Sequence, residues 1–275
     1  MEYRSGEQKE AKSDERQSVG TDHQEIEWQY DAPGGLERVE EWLGGRKGSG
    51  DPAKPGLAVF RGSSQELVDT YYDTEDWRLY RAGYALRIRR KAPGESPEAT
   101  MKSLVSASGT VGNLRKWREI SEPLKSDKVD ALSAAPGTVG VRLRTLVGSR
   151  EVRWIFEVRT QRQTFDLMLQ GRRLADPEKV LAGDSTGTVR VGEVALDRSE
   201  IPLGASTEPA RLVRVEVEVD ASATTTSPEL EGFVKEMEEA LGLRPTTTSK
   251  YEAGLFAAWQ DPNGIANKAW ASEKE

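Results

Sequence analysis

No cysteine occurs in the 275 residues, so disulfides, thiolate metal sites and cysteine nucleophiles are excluded. Histidine is almost as scarce. His23 is the only one, which rules out a histidine-based zinc site and a Ser-His-Asp triad. No apolar run approaches the ~20 residues that span a bilayer, and residues 1–22 have no hydrophobic signal segment. A surplus of positive charge is missing too. With 39 Lys and Arg against 46 Asp and Glu, a net charge of -7 and a pI near 5.2, the chain does not offer the basic surface that duplex nucleic acid requires. These absences lead to the expectation of a cytoplasmic protein with no nucleic-acid or membrane partner. Hydrolytic chemistry, if present, is left to carboxylates, lysines, arginines, tyrosines or a hard metal bound through oxygen.

Charge, by contrast, is abundant and ordered. In the stretch Glu25-Ile26-Glu27-Trp28-Gln29-Tyr30, an extended backbone puts Glu25, Glu27 and Gln29 on one face and Ile26, Trp28 and Tyr30 on the other. Far down the chain, Arg214-Val215-Glu216-Val217-Glu218-Val219-Asp220 repeats the pattern, with Glu216 and Glu218 opposite the valines. The strand predicted over 84–90 alternates in the same way with the opposite sign: Leu86 and Ile88 on one side, Arg87 and Arg89 on the other.

The length suits one folded domain with a real core. Residues 1–22 are polar and expected to be disordered, 23–258 to be the folded domain and 259–275 a flexible tail. Between them the pattern predicts strands over 24–30, 65–72, 84–90, 99–104, 114–121, 150–159, 164–169, 188–197 and 215–219, joined by hairpin-length turns that favour antiparallel pairing. A short helix is expected to hold Leu36, Val39 and Leu43. Others are expected over 126–134, from the Ser227-Pro228 start to Gly242, and from about 247 onward. The stretch 136–146 reads either way. Trp28, Trp154 and Phe156 are expected in the core.

Acids collect on the first and next-to-last strands while Arg and Lys collect on the middle ones. A sandwich would turn those faces to water. A closed barrel would instead turn the apolar faces outward under helices and line a wet interior with the charges. Such an interior suits a polyanion carried with a divalent metal, because carboxylates take Mg2+ or Mn2+ and Arg and Lys take phosphoryl oxygens.

Glu25-x-Glu27, Tyr71-Tyr72-Asp73-Thr74, Gly83-Tyr84-Ala85-Leu86-Arg87-Ile88-Arg89, Lys102, Arg159 and Arg162, Glu193 with Asp197, Glu216-x-Glu218 and Ser249-Lys250-Tyr251 together resemble, in this order, the CYTH domain of the triphosphate tunnel metalloenzymes. The resemblance covers about residues 23–257. It implies an α+β fold built on an eight-stranded antiparallel closed β-barrel, a tunnel with flanking helices. It also implies Mg2+ or Mn2+ as cofactor and a small-molecule triphosphate as substrate, either inorganic tripolyphosphate or an organic ester such as thiamine triphosphate. Class IV-type adenylate cyclases belong to the same family, and both a monomer and a homodimer fit.

By this resemblance Glu25, Glu27, Glu216 and Glu218 hold the metal. Arg87, Arg89, Lys102, Arg118, Arg159 and Arg162 bind phosphate, Glu193 orients the attacking water and Lys250 closes over the tunnel. One position departs from the family pattern Glu-x-Glu-x-Lys. Gln29 stands where the lysine is expected, keeping a donor for substrate but losing the charge, a loss worth ~1.5–3 kcal/mol for one charge-assisted contact. The departure implies a weakened triphosphatase, or a module that binds a polyphosphate or nucleotide with little turnover.

Overall fold

The computed structural model describes residues 21–32, 34–46, 57–91, 94–105, 114–169, 189–203, 207–246 and 248–260. Of the segment expected to be disordered over 1–22, residues 1–20 lie outside these residues, as does the loop over 47–56, whereas Thr21 and Asp22 begin the first strand. Of the tail expected over 259–275, residues 259 and 260 end the last helix and the rest lies outside. Among the described residues there are nine strands: β1 Thr21–Asp31, β2 Leu57–Thr74, β3 Tyr84–Arg90, β4 Glu98–Ser103, β5 Leu114–Pro123, β6 Val152–Leu169, β7 Val189–Ile201, β8 Ala210–Val219 and the two-residue β9 Arg244–Pro245. The described helices are α1 Glu37–Gly44, α2 Arg78–Arg81, α3 Val129–Ala134, α4 Thr138–Val147, α5 Pro228–Leu241 and α6 Lys250–Gln260. None of them is long and apolar enough to cross a membrane.

The strands neighbour one another in the order β5-β4-β3-β2-β6-β7-β8-β1, all antiparallel, and β1 pairs again with β5. Eight strands therefore close into a ring, as expected. β1 makes the closure by using both edges, pairing with β5 over Thr21 to Trp28 and with β8 over Glu27 to Asp31. β9 adds to β1 at Tyr30 and Asp31.

The alternation sorts the side chains. Ile26, Trp28, Tyr30, Val194, Leu196, Val215 and Val217 point outward and are covered by Leu36, Val39 and Leu43 of α1 and by Leu230, Phe233, Val234 and Met237 of α5. Burial of side chains of this kind contributes roughly 1.5–3 kcal/mol each. The start of α5 is set locally: Pro228 fits the first turn and the Ser227 hydroxyl accepts from the Leu230 amide at 3.2 Å. A second outward cluster, Leu86, Ile88, Ala99, Met101 and Ile120, is covered by Leu132 of α3 and by Val139, Leu143 and Val147 of α4. The ambiguous 136–146 stretch is thus a helix, selected by the sheet face it buries.

Two expectations change. The strands over 150–159 and 164–169 are one strand, β6, which runs the length of β2. A bulge lets Tyr71 pair with Phe156 while Tyr72 pairs with Trp154, so Ile155 is the extra residue. The alternation slips there, and Trp154 is 48% exposed instead of lying in the core. Trp28 and Phe156 are buried as expected.

The third apolar cluster belongs to the ring's inner side. Tyr71, Ala85, Phe156 and Val158 pack against Tyr251, Leu255 and Ala258 of α6, so this helix closes part of the interior. Gly254 makes the approach possible, since a Cβ there would lie 2.0 Å from the Phe156 ring. Alanine usually stabilises a helix over glycine by about 0.5–1 kcal/mol, but overpacking of this kind costs typically ~1–3 kcal/mol. Gly254→Ala is therefore expected to lower the urea unfolding midpoint. Gly232→Ala in α5, where the added methyl meets nothing within 4 Å, is expected to raise it.

Candidate functional site

The inward face of β1 carries Glu25, Glu27 and Gln29. Register places Glu27 opposite Glu218 on one side and opposite Arg115 on the other, and Gln29 opposite Glu216. Closure of the ring therefore brings the first and eighth strands' acids together. Glu25, Glu27 and Glu218 each offer a carboxylate oxygen within 4.8 Å of the other two. Burial pushes the Glu27 carboxyl up to about 7; Lys102 opposes the shift, while Glu25 and Glu216 add to it. Burial, and then the Glu25 charge, push Glu218 up to about 8.

Glu216, expected among the metal ligands, is held elsewhere. It accepts from Arg162 Nη2 at 2.5 Å and from Lys250 Nζ at 2.8 Å. Burial alone would raise its carboxyl, but Lys250 and Arg162 outweigh it and hold the group well below the usual range. The same two cations bind Asp197. Arg162 makes a two-pronged contact at 2.8 and 2.7 Å, and Lys250 donates to one of the same oxygens. Burial opposes the charge on Lys250, yet Asp197 and Glu216 raise its pKa, so it stays an ammonium at neutral pH.

The remaining cations form two further groups. Lys102 bridges Glu25 and Glu27, the latter at 3.3 Å. Arg89 grips Asp69 at 2.7 and 2.8 Å, and Arg87 lies 3.6 Å from Asp69 and 3.8 Å from Glu119. Burial would raise the Asp69 carboxyl, but Arg89 and Arg87 hold it far below the usual range. All three groups border one cavity of about 770 Å3 measured out to its mouth, with Tyr71, Thr100, Trp117, Ser249 and Tyr251 completing much of the wall. Two buried donors in that wall, Arg87 Nε and Trp117 Nε1, have no hydrogen-bond partner.

Of the residues expected here, Glu25, Glu27, Gln29, Arg87, Arg89, Lys102, Arg162, Glu216, Glu218 and Lys250 line this cavity. Three others do not. Arg159 lies three positions from Arg162 on one strand and so takes the opposite face; it is exposed and bonded to Glu157 at 2.8 Å. Arg118 likewise faces outward and binds Asp22, while its neighbours Trp117 and Glu119 face in. Glu193 is level with Glu218 but is bound to Arg190 at 2.9 Å and does not reach the cavity wall. On β7 it is Asp197 that meets the cation cluster.

Asp69, Arg115, Trp117 and Glu119 were not singled out. The signal for Asp69 was its alternation with Tyr71. For the three on β5 it was their position opposite Lys116 and Arg118, which on an outward face would leave the inward one to them.

The donor set fits a hard divalent cation. It offers three carboxylates and no nitrogen or sulfur, and two of the carboxyls are driven toward the neutral form, a cost that a bound cation removes. A closed antiparallel ring with acids and cations sorted into adjoining groups on its inner wall defines a charged-tunnel protein. A CYTH domain profile matches residues 52–255, and the chain belongs to the CYTH domain family.

HpAC1 from Hippeastrum, an adenylyl cyclase candidate described as having a dominant triphosphatase activity, is 15% identical. The match covers 84% of this chain and 94% of that one with a TM-score of 0.51. An adenylate cyclase candidate from Bacillus halodurans is 20% identical over 83% of this chain and 95% of that one, with a TM-score of 0.48. At such identities the likeness to HpAC1 is one of fold. Comparison with curated proteins finds no match.

Because Glu27 and Glu218 have folded values above the ~4.3 of a free glutamate, the folded protein holds more protons than the unfolded chain between about pH 4.5 and 8. Stability of the metal-free protein is therefore expected to fall as pH rises through that window. Thermal unfolding at pH 5 and pH 8 checks this, and Glu218→Gln is expected to flatten the profile.

Proposed function

We propose that the tunnel binds a small-molecule triphosphate together with Mg2+ or Mn2+ and hydrolyses it. One observation carries the reading: a metal-type acid cluster of Glu25, Glu27 and Glu218 shares one cavity wall with the cations Arg87, Arg89, Lys102, Arg162 and Lys250. Guanidinium and ammonium groups beside a carboxylate cluster suit a phosphoryl anion carried with a divalent cation. Membership of the CYTH family supports the same reading.

Glu25, Glu27 and Glu218 would hold the metal, which neutralises phosphoryl charge and acts as a Lewis acid. Lys102, bound to Glu25 and Glu27, is within reach of the same carboxylates, so a ligand entering that group competes with it and turns its ammonium toward phosphate. Arg87, Arg89 and Arg162 supply fork-shaped donors to the phosphoryl oxygens. Lys250, held protonated by Asp197 and Glu216, acts as a cation on the bridging or leaving oxygen and not as a base. Hydrolysis breaks the terminal P–O bond as water adds to phosphorus. The protein's part is to hold the chain in line and to stabilise charge that grows on the leaving phosphate.

Purified protein with Mg2+ or Mn2+ is expected to release phosphate from tripolyphosphate, thiamine triphosphate or ATP. Glu27→Gln and Arg162→Ala are each expected to lower that release at least a hundredfold. Arg118→Ala and Arg159→Ala, on the outer surface, are expected to leave it within about twofold. No phosphate from any of the three substrates would end the hydrolase reading, and cyclic AMP from ATP would replace it with a cyclase.

A further inference from the structure

We propose that Arg115 is a positioning residue for the metal-binding carboxylates, acting through Gln29, and that position 29 is neutral because β5 already supplies the cation at this level of the tunnel. The inference rests on the metal-binding part of the preceding reading, and not on turnover.

Gln29 is 5% exposed and both ends of its amide are used. Its Nε2 donates to Glu27 Oε1 at 3.0 Å, and its Oε1 accepts from Arg115 Nη1 at 3.0 Å. Only one orientation of the amide satisfies both contacts. Reversed, the NH2 group would face the guanidinium and the carbonyl oxygen would face the carboxylate. The arginine thereby sets the amide, and the amide sets the Glu27 carboxylate.

Arg115 is itself fixed at a second point, donating Nη2 to the Thr246 carbonyl, while the Thr246 amide donates to the Gln29 backbone oxygen at 3.1 Å. One guanidinium therefore ties together β5, β1 and the segment that leads into α6. Its hydrogen bonds go to neutral oxygens, and among the described residues it makes no ion pair within 4.0 Å. The charges acting on it are mixed: Glu27, Glu252 and Glu216 favour its guanidinium, and Arg214 opposes it. Arg214, 2% exposed and on the same inward face of β8 as Glu216, has Nε and Nη1 without hydrogen-bond partners, with Nε 3.7 Å from an Asp31 carboxylate oxygen, and its charge is among those that lower the Arg115 pKa after burial. A lysine at position 29 would put another ammonium against the Arg115 guanidinium and would compete directly for Glu27.

The test measures Mn2+ affinity by calorimetry without substrate, alongside thermal unfolding, for wild type, Gln29→Met, Gln29→Lys, Arg115→Gln and the pair Gln29→Lys with Arg115→Gln. Partners behind a metal ligand typically set affinity by ~10–100-fold. Each single substitution is expected to weaken Mn2+ binding by a factor in that range. The pair, which moves the cation from β5 to β1, is expected to recover most of the loss, a non-additivity that general destabilisation would not produce. Gln29→Met is near in size and carries no charge, so it tests the relay even where a charged variant does not fold. The proposal is overturned if Gln29→Met binds Mn2+ as wild type does, if Gln29→Lys alone binds as well or better, or if the pair is as weak as the two losses combined. Wild-type Mn2+ binding without triphosphate turnover would remove the hydrolase reading while leaving this one standing. Absence of wild-type Mn2+ binding would remove both.

Discussion

Closing eight strands into a ring obliges every second side chain to share one interior, and in this protein that interior is filled with ionised groups. Isolated charges in such a place would cost several kcal/mol each after relaxation. The fold is possible because acids and cations are delivered by different strands at matching heights: Asp69 of β2 meets Arg87 and Arg89 of β3, Asp197 of β7 meets Arg162 of β6, and Lys102 of β4 meets Glu25 and Glu27 of β1. Most of the rest of the architecture serves this constraint. Outward-facing valines, leucines and isoleucines find cover under α1, α3, α4 and α5, and α6 covers the inner apolar residues.

The pairing is uneven, and the unevenness marks the site. Where a cation stands by, as at Glu216 and Asp69, the carboxyls are held well ionised. Where Glu25, Glu27 and Glu218 converge, with Lys102 on the first two and Arg162 3.8 Å from the third, burial and mutual repulsion still push Glu27 and Glu218 toward protonation. An added cation would relieve the repulsion at that point, which is the physical basis of the metal-bound triphosphate proposed as ligand.

Much of this was legible in the residues. The two-residue period of Glu25-x-Glu27 and Glu216-x-Glu218, set against valine and aromatic partners, announced strands with one charged face, and the ordered motifs pointed to the tunnel family. What the pattern did not carry was which acids meet. Glu216 and Glu218 share a face, yet one faces Arg162 and Lys250 and the other faces Glu25 and Glu27, a division set by register with β7 and β1. The resemblance points to Arg159 as well as Arg162, yet three steps along a strand put them on opposite faces, and it points to Arg118 on β5, whose inward side holds Arg115, Trp117 and Glu119. The bulge that exposes Trp154 lies within Trp154-Ile155-Phe156, three consecutive apolar residues with no glycine to signal it. Gln29 stood out as a departure from the family pattern, but only the third dimension gave it a neighbour in Arg115.

The balance of charge inside the ring also governs how the molecule looks from a distance. Cations tied to carboxylates a few ångströms away cast little field beyond the tunnel mouth, and the chain as a whole carries a net charge of -7. On the proposed function, a bare polyphosphate approaching from solution meets net repulsion, because long-range attraction depends on uncompensated charge. The same anion already wrapped around a divalent ion presents much less charge to that surface. Capture of the metal complex as a unit is thus the route that the charge distribution favours, and encounter will track the concentration of that complex instead of the concentration of free anion.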